Sequence, residues 1–350
     1  MGNNTDPVEY IDKINISEIV LTLTGSSLSI VGAFVLFFAH YLRHKSGKPV
    51  DEVRQFLIFL TIADMFNALG LLSGVARFLN SEDSTEDKVA ACHRHEEFGC
   101  IEQSYMTTLF SMSSFFWTTI IAFHLFWTYE DNSPSSFKKT IAYHFITWGI
   151  PFAITTAAVS KNLLGSDLSA GSGAWCWISA CLPHYDRTLW MTISGKGWEI
   201  LMYFSCCAFY LLIKWRKIQI QRHRTKVNIS SSLPPRQTAV QSDEETNPHE
   251  DLRFLLLWLI EVALRIFGTV RYLTAAVRRH TAKELKSYYN SVDNVFLHFQ
   301  SFGDSAQALC SCLLFCIFDT EMRNLLKDKF FCSQKCSEKR PLLTRQTTTC

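Results

Sequence analysis

The stretch SMSSFFWTTIIAFHLFWTYEDN, residues 111–132, is apolar and aromatic from Phe115 onward, with His124 as its one acidic or basic side chain before Glu130. Glu130 and Asp131 then occur together. A helix needs about 20 predominantly apolar residues to cross roughly 30 Å of hydrocarbon. With the residues just before it, this stretch has that length. The sequence therefore predicts a membrane-spanning helix here, and the two acids mark its exit into water.

Six further runs of similar character predict six more spans. A soluble protein has little use for seven such helices, because their outward apolar faces would find no core. The chain of 350 residues is therefore predicted to be an all-α integral membrane protein, a seven-transmembrane helix bundle. The expected spans centre on residues 18–42, 54–79, 101–128, 139–160, 188–213, 252–275 and 292–318.

The distribution of Lys and Arg predicts which loops face the cytosol, because cytosolic loops carry an excess of these residues. With the N-terminus outside, 21 of them fall on the inner side, 10 on the outer side and three within the spans. We therefore expect an extracellular N-terminus at residues 1–16, a transmembrane domain at 17–318 and a cytosolic tail at 319–350, in the plasma membrane. The N-terminal segment contains two glycosylation sequons, at Asn3 and Asn15.

Two cytosolic segments have distinctive compositions. The connection from Lys214 to Asp251 is first basic, then rich in Ser and Pro, then acidic, which predicts a disordered loop at about 222–250. After the last span, DTEMRNLLKDKFFC places apolar side chains at helical spacing and predicts a short amphipathic helix in the membrane interface. Its apolar face would contain Met322, Leu325, Leu326 and Phe330, and Cys332 and Cys336 just beyond are predicted palmitoylation sites.

Four cysteines lie in the two outer loops that flank the third and fourth spans. We expect Cys100 to pair with Cys176, and Cys92 and Cys181 allow a second bridge. The loop CHRHEEFGC, residues 92–100, also contains His and Cys types that bind zinc. We favour disulfides, because oxidation consumes the thiolates that zinc would need.

Charged side chains inside the spans are costly and mark function by default. Lys196 with Glu199 and Glu261 with Arg265 have helical spacings that let each pair neutralise its charges. Asp64 lies in the middle of the second span. The seventh span has a polar stripe at helical spacing, which predicts a hydrated cavity or a polar switch network: Asn290, Asp293, Gln300, Asp304, Gln307 and Ser311. Bridging between helices is the alternative role for any single one of these residues.

From these positions we select candidates for two roles. The candidates for ligand contact are Tyr105, Trp190, Lys196, Glu199, Arg271 and Asp293. The candidates for a switch are Asp64, Glu261, Arg265, Asp304 and Gln307. We expect Asp304, Gln307 and Ser311 to face Asp64, so that a sodium ion or a shared proton would be needed to balance the two carboxylates.

Several functional classes can be compared at this point. A retinal pigment needs a Lys in the seventh span for its Schiff base, and none occurs from Val292 to Phe318. No metal-ligand set or nucleophile–base pair supports an enzyme, and no cofactor or nucleic-acid partner is expected. A transporter predicts an internal repeat, which the first and last three spans do not show. A receptor agrees best with the short outer loops, and a transporter or channel that uses the intramembrane charges is the alternative.

Five short motifs in one order resemble the G-protein coupled receptor 157 group, which is similar to slime-mould cyclic-AMP receptors and distantly to the secretin class. They are SSFFWT at 113–118, WGIP at 148–151, WCWI at 175–178, GKGWE at 195–199 and LRIFGTVRY at 264–272. The resemblance covers the second to the seventh span. It implies a receptor for an extracellular ligand that couples to a heterotrimeric G protein of the Gq class, with phospholipase C activation and a location at the cell surface, including the ciliary membrane.

The chain also departs from the patterns of related receptors. The third span ends in TYEDN, without the Asp-Arg-Tyr of rhodopsin-like receptors, and no Asn-Pro-x-x-Tyr closes the seventh. Where the group carries Gln-Gly, this chain has Gln307-Ala308. The resemblance therefore implies that any switch near the inner face uses other side chains.

Overall fold

The computed structural model describes residues 16–47, 52–80, 98–130, 137–166, 175–230, 248–277, 286–317, 322–327 and 329. Within these ranges it contains seven long helical segments in the predicted order, so the all-α seven-helix fold is confirmed. Four of them are long and apolar enough to cross a membrane by length and composition, namely the first, second, third and fifth. The other three are either interrupted or more polar.

The bounds of the seven helices are as follows. The first three are continuous, at Ile16–Lys45, Glu52–Asn80 and Phe98–Glu130. The fourth contains Phe137–His144, a π-helical turn at Phe145–Gly149 and Ile150–Ser160. The fifth contains His184–Met191, a π-helical turn at Thr192–Lys196 and Gly197–Ser230. The sixth is Pro248–Val277, and the seventh contains Lys286–Ser305, Gln307–Cys312 and a π-helical turn at Leu313–Ile317.

The third helix packs at the centre of the bundle. Trp117 is fully buried, and its ring stacks on Phe56 and Phe59 of the second helix at centroid distances of 5.7 and 5.2 Å. Several hydroxyl side chains of the third helix hydrogen-bond within the helix or to neighbouring helices; Ser113, for example, donates to the carbonyl of Leu109. The Ser-rich, aromatic stretch that begins at residue 111 is therefore helical to Glu130 and mostly buried, with Trp127 40% exposed near its end.

The π-helical turn of the fourth helix coincides with the WGIP motif. Pro151 has no N–H to donate to the carbonyl four residues earlier, which belongs to Thr147. A wider turn before a proline accommodates this missing donor. The Thr147 hydroxyl also donates back to the carbonyl of Tyr143, at 2.8 Å, within the same turn.

The seventh helix is interrupted at Ala306, and a side chain of the first helix occupies the interruption. Ser29 Oγ donates to the carbonyl of Ser305 at 2.6 Å and accepts from the amide of Leu309 at 3.2 Å. An uninterrupted α-helix would join those two groups to each other, because they are four residues apart. Insertion of a side chain into this ladder is a known cause of helix breaks. Gly32 allows the approach, since a Cβ there would lie 3.0 Å from Leu309 Cα.

A small hairpin covers one end of the bundle. Strand β1, Leu164–Gly165, pairs antiparallel with strand β2, Trp177–Ile178, so that Leu164 faces Ile178. Ile178 is completely buried. This hairpin places the WCWI motif over the third helix.

Two boundaries differ from those expected from the sequence. The fifth helix continues to Ser230 and the sixth begins at Pro248, so the predicted loop at about 222–250 is helical at both ends. The basic segment after Lys214 is rich in residues that favour helix, which accounts for the extension. In the tail, Met322 is buried against the protein core instead of facing lipid. The predicted sites at Asn3, Asn15, Cys92, Cys332 and Cys336 lie outside the described residues.

Candidate functional site: a polar cavity above a buried charge cluster

A disulfide fixes the hairpin to the third helix. Cys100 and Cys176 are bonded, with their Cα atoms 5.6 Å apart. One turn along the third helix, the side-chain oxygen Oε1 of Gln103 accepts from the backbone amide of Cys176 at 2.7 Å. Ser104 donates to the carbonyl of Trp177 at 2.8 Å. These contacts place Trp175 and Trp177 at the end of the bundle that we call the disulfide end.

A polar cavity that is partly open to solvent lies below these two tryptophans, and its empty volume of about 530 Å³ includes open solvent. Its walls come from the second, third, fifth, sixth and seventh helices. Two cations and two carboxylates line it, together with polar groups of the second and third helices: Lys196, Arg265, Glu199, Asp304, Asn67, Thr107, Thr108 and Ser111. Gly195 allows close packing at the rim, because a Cβ there would lie 3.0 Å from the Trp177 ring.

Glu199 is the most highly coordinated carboxylate in this cavity. Lys196 Nζ donates to its Oε2 at 2.9 Å, and the Tyr203 hydroxyl donates to its Oε1 at 2.9 Å. Thr269 of the sixth helix also donates to Oε1. Glu199 is buried, with 1% of its surface exposed. Because a buried charge is stable only when paired and hydrogen-bonded, these contacts explain how Glu199 is accommodated.

Arg265 is the central cation. Its Nη1 lies 3.7 Å from Asp304 Oδ1 and 4.0 Å from Glu199 Oε2, and its Nε lies 3.7 Å from Glu261 Oε2. Nη1 also donates to Ser111 Oγ at 3.2 Å. The guanidinium lies 4.4 Å from the centroid of the Phe115 ring, a cation–π contact. One side chain of the sixth helix therefore links the third, fifth and seventh helices.

Two further acids lie on the side of Arg265 away from the disulfide end. Asp64 is buried and accepts from Ser114 Oγ at 2.6 Å, and it is within electrostatic reach of Arg265. Glu261 is buried, and neither of its oxygens has a hydrogen-bond partner among the described residues. We call the six residues Asp64, Lys196, Glu199, Glu261, Arg265 and Asp304 the buried charge cluster. It contains four carboxylates and two cations.

A second ionic contact continues this network toward the disulfide end. Arg271 donates to both carboxylate oxygens of Asp293, at 3.2 and 3.1 Å, and its Nη1 donates to Gln300 Oε1 at 2.7 Å. Gln300 Nε2 in turn donates to Asp304 Oδ2 at 3.1 Å. A chain of hydrogen bonds therefore runs from Asp293 to Asp304 along the sixth and seventh helices.

Comparison with known proteins assigns this bundle to a family. The sequence profile described as slime mold cyclic AMP receptor matches residues 14–221, more than half of the chain. The chain belongs to this receptor family. It is also similar to relatives named G-protein coupled receptor 157, at 31% identity over 257 residues in Rattus norvegicus, covering 73% of this chain and 71% of that protein. The Mus musculus protein is 28% identical over 326 residues, covering 93% and 89%.

Two more distant comparisons agree. Cyclic AMP receptor-like protein C of Dictyostelium discoideum is 26% identical over 144 residues, 41% of this chain and 37% of that protein. The crystal structure of squid rhodopsin superimposes with a TM-score of 0.60, covering 91% of this chain and 86% of that one, at 11% identity. That likeness shows the fold alone. The chain is a multi-pass membrane receptor and not an enzyme, and its resemblance to the G-protein coupled receptor 157 group is confirmed.

The structure of this receptor brings some of the candidate residues together and separates others. Lys196 and Glu199 line the cavity, as do Arg265 and Asp304 from the set of switch candidates. Gln307 is buried, and its amide has no hydrogen-bond partner among the described residues.

Four candidates for ligand contact do not line this cavity, and their role in ligand contact stays a prediction. Tyr105 packs toward the fourth helix, where its hydroxyl lies 3.3 Å from Thr156 Oγ1. Trp190 packs beside the hairpin, with the Lys161 ammonium 5.6 Å from its ring centroid. Arg271 and Asp293 pair with each other, and Arg271 contacts Gln300 of the cavity lining. Whether each of these side chains faces the cavity depends on how its helix is rotated about its axis. The residue type alone does not give that rotation.

Only one cysteine of the second predicted disulfide lies within the described residues. Cys181 is disulfide-bonded. Cys92, its predicted partner, lies outside the described residues, so this pairing stays a prediction.

The sequence reasoning missed several polar residues of the site. Ser111 and Ser114 each contact a member of the buried charge cluster, and Asn67 Nδ2 donates to the backbone carbonyl of Asp304 at 3.3 Å. Their spacing along the sequence could have indicated these residues. Ser111 and Ser114 are three residues apart on one helical face, and Asn67 is three residues after Asp64.

Proposed function

We propose that this receptor transmits an extracellular signal to a heterotrimeric G protein of the Gq class, which activates phospholipase C. The observation that carries the proposal is the buried charge cluster, because Arg265 joins the polar cavity to the acids beyond it. Charged side chains inside a membrane are costly, so their presence marks a functional site by default. The names of the relatives support G-protein coupling. The Gq class rests on the resemblance to the G-protein coupled receptor 157 group.

The mechanism we propose is a shift between two populations of the bundle. A ligand in the cavity would compete for Arg265 with Asp304 and Glu199, whose distances of 3.7 and 4.0 Å are longer than hydrogen bonds. Loosening these ion pairs would weaken the connection of the sixth helix to the fifth and the seventh. A ligand shifts the equilibrium only by its difference in affinity for the two states. The cavity residues that touch Arg265 are therefore the ones that would convert binding into signal.

The excess of acids in the buried charge cluster gives the proposed switch a second input. Four carboxylates face two cations, so the fully ionised cluster would carry two uncompensated negative charges inside the bundle. A proton or a sodium ion would reduce this excess. Asp64, Asp304 and Gln307 are the residues we propose to take part.

The location we propose follows from the charges of the loops. The excess of Lys and Arg on one side supports an extracellular N-terminus and a plasma-membrane receptor. The ciliary location rests on the resemblance alone. From the same topology we propose glycosylation at Asn3 or Asn15 and palmitoylation at Cys332 and Cys336.

The experiment that tests this function is inositol phosphate accumulation in cells expressing the full chain, with and without Gq-class α subunits. We expect a signal that depends on those subunits, with or without added ligand. Arg265→Leu should reduce it at matched surface expression, whereas Ser27→Ala, on an exposed face of the first helix, should not. Second-messenger output through another G protein would contradict the Gq class alone. No output of any kind, with cyclic AMP among the added ligands, would contradict the function.

A further inference from the structure

The polar cavity contains buried groups whose hydrogen-bonding capacity is unused within the described residues. The acceptor is Asp304 Oδ1, and the donors are Arg265 Nη2 and the Thr108 hydroxyl, which can also accept. Arg265 and Thr108 are each 3% exposed, and all three side chains line the cavity. Leaving such buried groups unpaired is costly. A ligand that satisfies these groups would offer both a donor and an acceptor.

The two cations of the cavity lie close to one another. Lys196 Nζ and Arg265 Nη1 are 2.9 and 4.0 Å from the same oxygen, Glu199 Oε2. Gly268 makes room on this side, since a Cβ there would lie 3.1 Å from Lys196 Nζ. Lys196 donates one of its three N–H groups to Glu199. The pair of cations therefore forms one positively charged wall, with N–H groups left over for an anionic oxygen.

The carboxylate of Asp304 carries the opposite charge and lies near both Lys196 and Arg265. Asp304 is within electrostatic range of both Lys196 and Arg265, and its Oδ1 is held by an ion pair at 3.7 Å without a hydrogen bond. The lining is electrically balanced, with two cations and two carboxylates. An anion such as a phosphate would bring a charge toward Glu199 and Asp304 and would leave Asp304 Oδ1 unpaired. A ligand with only a positive charge would be repelled by Lys196 and Arg265.

We infer that the cavity binds a small zwitterion of the amino-acid type, with its carboxylate on Lys196 and Arg265 and its ammonium on Asp304. This assignment rests on the proposed function of the cavity as the place where the signal is received. Binding would replace the long Arg265–Asp304 ion pair with two charge-assisted hydrogen bonds to the ligand. The same ligand would thereby act on the side chain that links the third, fifth and seventh helices.

The inference is tested by binding, without any measurement of signalling. The melting temperature of the purified full-length receptor in nanodiscs is measured with each of the twenty free L-amino acids. For each that raises it, the N-acetyl derivative, which lacks the ammonium, and the amide, which lacks the carboxylate, are compared. We expect at least one amino acid to stabilise the receptor and both derivatives to bind about tenfold more weakly or worse, since each loses a charge-assisted contact.

Two variants assign the two ends of the ligand. Asp304→Asn should abolish the preference for the free amine over the N-acetyl derivative, and Lys196→Met should abolish the preference for the free acid over the amide. Ser27→Ala, at an exposed position of the first helix that does not line the cavity, is the control and should keep both preferences. The inference is overturned if no amino acid binds, if an N-acetyl derivative or cyclic AMP binds as well as the free amino acid, or if Asp304→Asn keeps the amine preference. Those results would leave the receptor function intact, whereas binding without second-messenger output would contradict the function alone.

Discussion

At the scale of single residues, the arrangement around Arg265 decides how the bundle tolerates its charges. A guanidinium can satisfy several carboxylates at once because it has five donors in a fixed plane. Three carboxylates, from the fifth, sixth and seventh helices, lie 3.7 to 4.0 Å from it. The cluster therefore depends on Arg265 far more than on any one acid.

This asymmetry predicts opposite tolerance for two substitutions. Glu261→Gln removes one of the excess negative charges and should cost little stability. Arg265→Leu leaves Glu199, Glu261 and Asp304 without their shared cation, and breaking such a buried pair costs about 3–5 kcal/mol. We expect a marked loss of thermal stability and surface expression for Arg265→Leu, measured against wild type in the same detergent. Equal losses for the two variants would contradict the central role of Arg265.

At the scale of the helices, the seven spans could be predicted from sequence because hydropathy over some 20 residues is a local property. The contacts between helices could not, because they depend on how each helix is rotated about its axis. The pairing of Glu199 with Lys196 is local and was expected, whereas the contact of Arg265 with Ser111 joins the third and sixth helices and was not.

The break in the seventh helix illustrates the same limit. Ser29 was not a candidate, because a hydroxyl in a helix usually bonds its own preceding turn. Its actual partners, Ser305 and Leu309, are far away in sequence. Rhodopsin-like receptors place Asn-Pro in this helix, and this chain instead interrupts it with a hydroxyl from the first helix.

Removing that hydroxyl is expected to affect the seventh helix. Ser29→Ala loses two hydrogen bonds, each with a net value of about 1 kcal/mol, and leaves the groups it bridged to rejoin or stay unpaired. We expect a lower melting temperature and altered hydrogen exchange of the amides around Ala306. Ser27→Ala is the matched control, since Ser27 is exposed on the same helix. If the two alanine variants behave alike, Ser29 does not hold the interruption open.

The hairpin gives a second prediction at this scale. The Cys100–Cys176 disulfide holds Trp175 and Trp177 over the cavity, and removing a native disulfide typically costs about 2–4 kcal/mol. Cys100→Ser or Cys176→Ser should therefore lower surface expression. Cys207→Ser, at a free thiol of the fifth helix, is the control. Normal surface expression of both disulfide variants would show that the hairpin is held by its hydrogen bonds alone.

At the scale of the whole molecule, the receptor is a stack of three polar layers along one axis. Arg271, Asp293 and Gln300 form the layer nearest the disulfide end, the cavity with Arg265 and Asp304 comes next, and Asp64 and Glu261 lie beyond it. Each layer shares a side chain or a charge interaction with the next. Through Arg265, a change in the cavity would act on Glu261 and Asp64.

Asp64 is the residue at which this coupling can be measured. It bonds Ser114, has one oxygen without a hydrogen-bond partner among the described residues, and interacts electrostatically with both Arg265 and Glu261. Asp64→Asn keeps the shape and the hydrogen bond but removes one excess negative charge. It should therefore change the balance of the two states while leaving folding intact, and we expect basal or ligand-driven signalling to change at equal surface expression. Ser114→Ala separates the two contributions, because it removes the hydrogen bond and keeps the charge. Unchanged signalling for Asp64→Asn, with surface expression equal to wild type, would mean that the acids beyond Arg265 only support the fold.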